Sequence, residues 1–221
     1  MPFGPTYQAD TLNQWFGDTA PTVPATYYGV LFLNSPSDAT LGTALTAGDT
    51  YTAITIGTLS ANIAAGSAIG ITNGTVTQWV QVTAAATAGS SVSVTVQSFV
   101  ANESYSSGAA LTVIQFTEPT TTTSGYSRQS VTNNTTSFPS ATTSNGVTTK
   151  SGSSSVTLTW GPSTGTNAAW GTVAAVGLMD ASSAGNVVAW APSSTQVNVN
   201  GTGYTITEAL NNFTLTMTSA N

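Results

Sequence analysis

The stretch Ser91–Ser98 reads SVSVTVQS, and its strict alternation of apolar and polar residues is the strongest indication of the fold class. Its valines would face one side of an extended strand, and its serine, threonine and glutamine side chains would face the other. The same period recurs in SVTLTW (Ser155–Trp160) and NFTLTMTS (Asn212–Ser219), while YYGVLFLN (Tyr27–Asn34) and TVAAVGLM (Thr172–Met179) are more continuously apolar. We therefore predict an all-β protein made of many short strands.

Two local signals complete the prediction of secondary structure. The pair Asn73-Gly74 lies between two apolar stretches and predicts a tight β-hairpin. Asp10 is a suitable helix N-cap, apolar residues follow it at helical spacing, and Gly17 stands where a helix would end. The sequence thus predicts one short N-terminal helix and otherwise only strands.

The composition excludes several classes of function. Only 5% of the residues are charged, against about 25% in an average soluble domain, and the net charge is −6. A chain with two basic residues cannot neutralise a nucleic acid backbone or bind an anionic membrane, and no apolar run reaches the roughly 18 residues of a spanning helix. We expect no nucleic acid and no membrane among its partners.

Candidate catalytic residues are also missing. The chain has no histidine and no cysteine, so it cannot form the common nucleophilic triads or the usual zinc sites. Its eight acidic residues are scattered, most of them beside turn residues. Calcium binding to turn oxygens near Asp38 or Asp180 stays open, although neither neighbourhood matches a calcium-binding loop. We predict that the protein is not an enzyme and assign no catalytic, cofactor-binding or metal-binding residue.

An internal repeat points to an inserted domain. Thr46–Ile69 and Thr87–Leu111 both begin Thr-Ala-Gly, continue into an alternating strand, and reach Ala-Asn before a segment with glycine, alanine and an aliphatic residue. Two copies of about 40 residues suit one small pseudo-symmetric domain. We predict a small β-barrel-like domain over 39–116, inserted into a discontinuous β-sandwich or jelly-roll-like domain formed by 1–38 and 117–221.

The C-terminal motifs resemble those of a family of bacteriophage virion proteins. They comprise SGYSRQSVTNNTTSFP (Ser124–Pro139), SNGVT (Ser144–Thr148) and AAWGTVAAVGLMDASSAGNVVAWAP (Ala168–Pro192). The N-terminal stretch LNQWFGDTAPTVPATYYGVLFLNSPSDA (Leu12–Ala39) is similar to the opening of the same family. Because shorter members run almost directly from this opening into the Gly-Tyr-x-Arg segment, the resemblance implies that Ala39–Phe116 is an insertion.

Members of that family are variously labelled tail-fibre, minor tail or head-decoration proteins, so the resemblance implies a structural role on the exterior of a phage particle and no enzymatic activity. We expect a capsid decoration protein, because a short chain without coiled-coil or shaft repeats suits a compact part that stabilises the head. It would act as a homotrimer and bind the major capsid protein. The alternative is a tail-fibre or minor tail protein whose inserted domain binds a glycan on the host surface.

A few residues are singled out as structural or as possible contacts. Arg128, the only arginine, follows Tyr126 in the segment that re-enters the split domain, and a buried arginine needs an acidic or carbonyl partner. Asp180 and Glu118 are the first candidates, and the resemblance adds Trp170 and Gly171 of the Trp-Gly-Thr-Val motif. Trp79 falls on the polar side of its strand, which makes it the aromatic residue most expected to be exposed as a ligand-binding or interface residue.

Overall fold

The computed structural model describes residues 23–144 and 147–218, and almost all regular structure within these ranges is β-strand. The strands are β1 (Thr26–Leu33), β2 (Thr50–Leu59), β3 (Ala68–Thr72), β4 (Thr77–Gln81), β5 (Gly89–Val100), β6 (Leu111–Ile114), β7 (Gln129–Thr132), β8 (Thr142–Ser144), β9 (Val147–Ser151), β10 (Thr157–Trp160), β11 (Gly171–Met179), β12 (Val187–Val199), β13 (Ile206–Ala209) and β14 (Thr214–Thr218). A 3-10 turn, Leu210–Asn212, separates the last two strands. The all-β prediction is confirmed. The predicted helix at Asp10–Gly17 lies outside the described residues.

The strands form five small sheets with the orders β12-β11-β1-β7, β10-β13, β14-β9-β8, β2-β5 and β4-β3-β6. None of these sheets closes into a barrel within the described ranges, so the 39–116 region holds open antiparallel sheets where a barrel-like body was expected. Its strands β2 and β5 pair as a long two-stranded ribbon, and β3 lies between β4 and β6.

The chain divides into two compact units. The inserted unit consists of Phe32–Thr117 together with Thr172–Ala174. The split unit contains the chain before Phe32 and the two segments Glu118–Gly171 and Ala175–Asn221.

The core of the split unit is built around a close contact at Gly29. The Trp160 side chain is fully buried, and its indole Nε1 donates a hydrogen bond to the Gly29 carbonyl oxygen at 3.2 Å. A Cβ on Gly29 would lie only 2.5 Å from Leu158 Cδ1. Leu158 and Trp160 alternate with exposed threonines on β10, as the SVTLTW pattern predicts. Glycine at position 29 therefore lets strand β1 lie directly against these side chains.

The core of the inserted unit consists of aliphatic residues from both of its sheets, including Ile54 and Ile56 of β2 and Ile69 and Ile71 of β3. The Asn73-Gly74 pair joins β3 to β4 as a hairpin, so that prediction is confirmed. Its turn is closed by the Asn73 side chain, because Oδ1 accepts hydrogen bonds from the backbone N–H groups of Thr75 and Val76.

Backbone hydrogen bonds in the inserted unit occur in equivalent pairs. Leu45 and Tyr105 exchange both of their backbone hydrogen bonds at 2.9 Å, and Ile63 and Ala86 do the same at 2.9 Å. Leu45 and Ala86 occupy matching positions just before the two Thr-Ala-Gly motifs. Each copy of the repeat thus forms paired backbone hydrogen bonds with the other copy. An approximate two-fold axis relates the two copies.

The turns that end the two copies repeat the same geometry. Gly66 N–H donates to the Val82 carbonyl oxygen at 2.8 Å, and Gly108 N–H donates to the Leu41 carbonyl oxygen at 2.7 Å. The two glycines have φ angles of +89° and +87°, a region that other residues rarely adopt. In both copies, the positive φ angle therefore explains why glycine occupies this position of the repeat.

Candidate functional site

The lone arginine lies at the centre of a polar cluster in the split unit. Arg128 immediately precedes β7, and its Nη2 lies 2.6 Å from Glu118 Oε1. Its Nε also contacts both Glu118 carboxylate oxygens, at 3.2 and 3.1 Å. The two side chains are only 11% and 18% exposed. Among the two acids considered from the sequence, Glu118 is thus the ion-pair partner that the structure shows.

The other side of the guanidinium binds backbone oxygens. Arg128 Nη1 donates to the carbonyl oxygens of Ala181 and Ala184, the latter at 2.8 Å. Ala184 lies in the loop between β11 and β12 with a φ angle of +51°, a region that few residues other than glycine adopt. The arginine therefore ties the segment before β7 to the loop between β11 and β12, more than 50 residues further along the chain.

Asp180 shapes that same loop. Its carboxylate accepts a hydrogen bond from the Asn186 backbone N–H at 2.6 Å and another from the Asn186 side chain at 2.9 Å. A Cβ on Gly185 would lie 2.4 Å from Asp180 Oδ1, so this glycine leaves room for the carboxylate. Asp180 holds the loop in the conformation that presents the two carbonyl oxygens to Arg128.

Tyr126 completes the cluster from the position two residues before Arg128. Its hydroxyl donates to Glu118 Oε2 at 2.7 Å and accepts a hydrogen bond from the Leu31 backbone N–H at 3.2 Å. Residues two apart in an extended segment lie on the same side, which explains why both side chains reach Glu118. Burial, followed by the charge of Glu118 and the hydrogen bond to it, raises the pKa of Tyr126.

Trp170 packs beside Tyr126. The two rings meet edge to face with centroids 5.7 Å apart, and the Trp170 Nε1 donates to the Ser124 carbonyl oxygen at 2.8 Å. Gly171 follows with a φ angle of +95°, which lets β11 start directly after the tryptophan. The five residues predicted to be structural therefore lie around one feature: Tyr126, Arg128, Asp180, Trp170 and Gly171.

The arrangement around Arg128 is suited to holding chain segments together. Most of the guanidinium N–H groups already have protein acceptors, and the charge is neutralised by Glu118. The carboxylate in turn accepts hydrogen bonds from two different side chains. We refer to Glu118, Tyr126 and Arg128 as the Arg128 cluster.

Trp79 lies in a different environment from the one expected. It is partly buried on β4 and lies directly opposite Gly70 of β3. A Cβ on Gly70 would be only 2.9 Å from the Trp79 ring, so the ring covers the backbone of that glycine. The face of the ring that points towards Gly70 is not open to a ligand.

The described ranges contain neither a cluster of metal-binding side chains nor a membrane-spanning helix. No three acidic side chains come together there as a metal-binding group, and the Asp38 carboxylate accepts a hydrogen bond from the Ser60 hydroxyl at 2.7 Å. No helix in those ranges has the length and apolar character needed to cross a bilayer.

Comparison with known families gives one match. Residues 114–216 match a family model described as "Podophage GP4 fiber I protein gp80". The matched segment is slightly less than half of the chain and contains the whole Arg128 cluster. No curated protein and no solved structure is found to match. The family match supports a bacteriophage structural protein of the fibre-like kind, and thus a component of a virion.

Proposed function

We propose that the chain is a non-enzymatic fibre protein on the exterior of a phage particle, in which the split unit is the structural body and the inserted unit is presented for further contacts. The observation that carries this proposal is the match of residues 114–216 to a phage fibre family. The description of that family favours the fibre over the head decoration expected from sequence.

The position of the match supports this division of roles. It begins within β6, next to the re-entry point, and continues through nearly all of the C-terminal part of the split unit. Most of the inserted unit precedes the match. A family body interrupted by an additional unit suits a fibre part in which the body provides assembly and the insertion provides a specific contact.

The composition supports an assembled, non-catalytic role. The whole chain has two basic residues and no histidine or cysteine, which leaves few groups for acid–base or nucleophilic chemistry. Charged side chains normally keep β-rich monomers apart, and this chain has few of them. A permanent assembly, which we propose to be a homotrimer, would bury much of the neutral surface.

Localisation on the intact particle tests the proposal. Purified phage particles would be imaged by cryo-electron microscopy with and without an antibody fragment raised against the recombinant chain. We expect added density at the tail-fibre region. Density spread over the head would overturn the fibre proposal, and absence of the chain from purified particles would overturn a virion role. Sedimentation of the recombinant chain as a stable monomer would contradict the trimer.

Head decoration is the second candidate, with the major capsid protein as its partner. The feature that favours it is the shortness of the structural elements, since the described strands have at most 13 residues and no coiled coil or shaft repeat occurs among them. Head density in the same images is the outcome that would select this candidate.

A further inference from the structure

The two ends of the β2–β5 ribbon have different surfaces although the repeat makes them equivalent in backbone. At one end the side chains are Asp49, Tyr51, Phe99, Val100 and Glu103, which we call the Tyr51 end. The repeat places Ser90, Val92, Leu59 and Ser60 at the corresponding positions of the opposite end. The Tyr51 end thus carries an aromatic pair and two carboxylates that the equivalent repeat positions of the opposite end lack.

The Tyr51 end exposes apolar surface. The Tyr51 and Phe99 rings are paired across the ribbon with centroids 5.8 Å apart, and both are only partly buried. Val100, the next residue, points to the other face of the ribbon and is 55% exposed, whereas most aliphatic side chains of the inserted unit are buried in its core. The half-buried aromatic rings on one face of the ribbon end and the exposed aliphatic side chain on the other supply apolar contact area of the kind found in protein interfaces.

Acidic groups border this apolar surface. Asp49 and Glu103 are both exposed, and among the described residues neither carboxylate has a hydrogen-bonding or ion-pair partner. Asp38, the remaining acid of the inserted unit, accepts a hydrogen bond from Ser60. The inserted unit contains no lysine or arginine, so the charge at the Tyr51 end is not compensated within the unit.

The backbone around the Tyr51 end is held in place. The Tyr51 hydroxyl accepts a hydrogen bond from the Thr46 N–H at 2.8 Å, and the Gln78 side chain bonds to the Val100 carbonyl at 2.8 Å and to the Asn102 N–H at 3.0 Å. The Ala101 N–H also donates to the Asp49 carbonyl oxygen at 2.9 Å. A surface ordered before binding loses little conformational entropy when a partner docks.

We propose that the Tyr51 end is a docking surface for a basic segment of another protein of the particle, one that places lysine or arginine side chains around an apolar contact. Charge decides between this occupant and a second copy of the chain. A second copy would bring only Arg128, which is neutralised by Glu118, and Lys150, which donates to the Phe138 carbonyl. Two copies meeting through this end would oppose like charges. This inference rests on the proposed function, since it places the partner in the same virion.

Zero-length cross-linking on purified particles tests it. A carbodiimide joins a carboxylate to a lysine amine only when the two are in contact, and mass spectrometry then identifies the joined peptides. We expect Asp49 or Glu103 to be joined to a lysine of a different virion protein, and Asp38 of the opposite end to remain unlinked. Links from Asp49 or Glu103 solely to Lys150 would overturn the inference. No links at all in particles that contain the chain would exclude a lysine partner and leave the arginine partner, which the variants below test. Absence of the chain from the particles would overturn the proposed function instead.

Three variants cover a partner that uses arginine. Val100→Asp should reduce the copies of the chain retained per particle by about tenfold, because it places a charge within the apolar part of the contact. Ser90→Asp adds the same charge to the opposite end and should leave retention unchanged. Asp49→Asn with Glu103→Gln should lower retention after a salt wash without altering thermal unfolding of the purified chain. Equal retention of all variants would overturn the inference.

Discussion

Both basic residues of the chain lie in the split unit, whereas the inserted unit has none. The split unit joins segments distant in sequence, and it does so with a buried arginine whose partners are a carboxylate and two carbonyl oxygens. The inserted unit joins two copies of one motif, and each copy supplies the backbone hydrogen bonds that the other needs. In the split unit, a charged side chain joins segments of unlike sequence. In the inserted unit, backbone hydrogen bonds join two similar segments, and no charged pair is needed.

The largest expected effect is the loss of the Arg128 cluster. Arg128→Ala should lower the free energy of unfolding by about 3 kcal/mol, because Glu118 would remain as a mostly buried charge without its partner. Urea denaturation measures the loss, and hydrogen exchange should localise it to the split unit. Lys150→Ala is the control, since that amine makes one hydrogen bond to the Phe138 carbonyl, worth about 1 kcal/mol. Equal losses in the two variants would show that the buried ion pair contributes no more than the single hydrogen bond of Lys150.

A smaller effect is expected from filling the contact at Gly29. Gly29→Ala should cost about 2 kcal/mol because its methyl group would overlap Leu158. Gly57→Ala in β2 is the matched control, since the atom nearest to its Cβ would be Thr40 Oγ1 at 3.5 Å. Thermal unfolding should show a lower midpoint for the first variant and little change for the second. A similar midpoint for both would mean that β1 can move away from β10 at little cost.

The hydroxyl of Tyr126 contributes less than the charge of Arg128. Tyr126→Phe removes the hydrogen bonds to Glu118 and to the Leu31 N–H, which should cost about 1.5 kcal/mol at neutral pH. The comparison is made by denaturation of the two proteins in the same buffer. A loss as large as that of Arg128→Ala would mean that the tyrosine, and not the ion pair, holds the cluster together.

The same substitution should also change how the stability of the protein depends on pH. The pKa of Tyr126 is raised in the folded protein, so the unfolded chain releases this proton first and stability falls as the pH rises above about 10. Burial also raises the pKa of Tyr27 and Tyr105, so part of the fall should persist in Tyr126→Phe. Denaturation midpoints between neutral and strongly alkaline pH should show a shallower decline for the variant. An unchanged slope would contradict the role of Glu118 in keeping the phenol protonated.

The smallest effect tests the equivalence of the two repeat copies. Gly66→Ala and Gly108→Ala should each cost about 1 kcal/mol, because alanine is strained at their positive φ angles although no atom lies within 4 Å of the added Cβ. Because the surroundings match, the two losses should agree within about 0.5 kcal/mol. Urea denaturation of both variants measures them. Clearly unequal losses would show that one copy supports the inserted unit more than the other.

The strands were predictable because burial of one sheet face imposes a period of two on the sequence. In β5, Val94 and Val96 are buried while the intervening Thr95 is exposed, as the SVSVTVQS pattern requires. The hairpin at Asn73-Gly74 was predictable for a second local reason, namely the turn geometry that this pair favours. Signals of this kind depend only on neighbours in sequence.

Features that depend on distant parts of the chain were harder to predict from the sequence. Glu118 lies in a threonine-rich segment that resembles a linker, and only the fold brings Ala181 and Ala184 to the opposite side of Arg128. The alternation placed Trp79 on the polar side of its strand, but it could not show that the residue opposite would be a glycine that the ring covers. Residue types suggested which groups need partners, whereas strand pairing decided which partners they have.

The backbone hydrogen bond from Leu33 to Thr117, at 2.9 Å, has a consequence for how such a chain can diversify. The inserted unit leaves and returns at positions that this hydrogen bond holds next to each other. A replacement of any length can close that gap provided that its own termini are adjacent. The junction is therefore a site at which one inserted unit can be exchanged for another without altering the strands on either side.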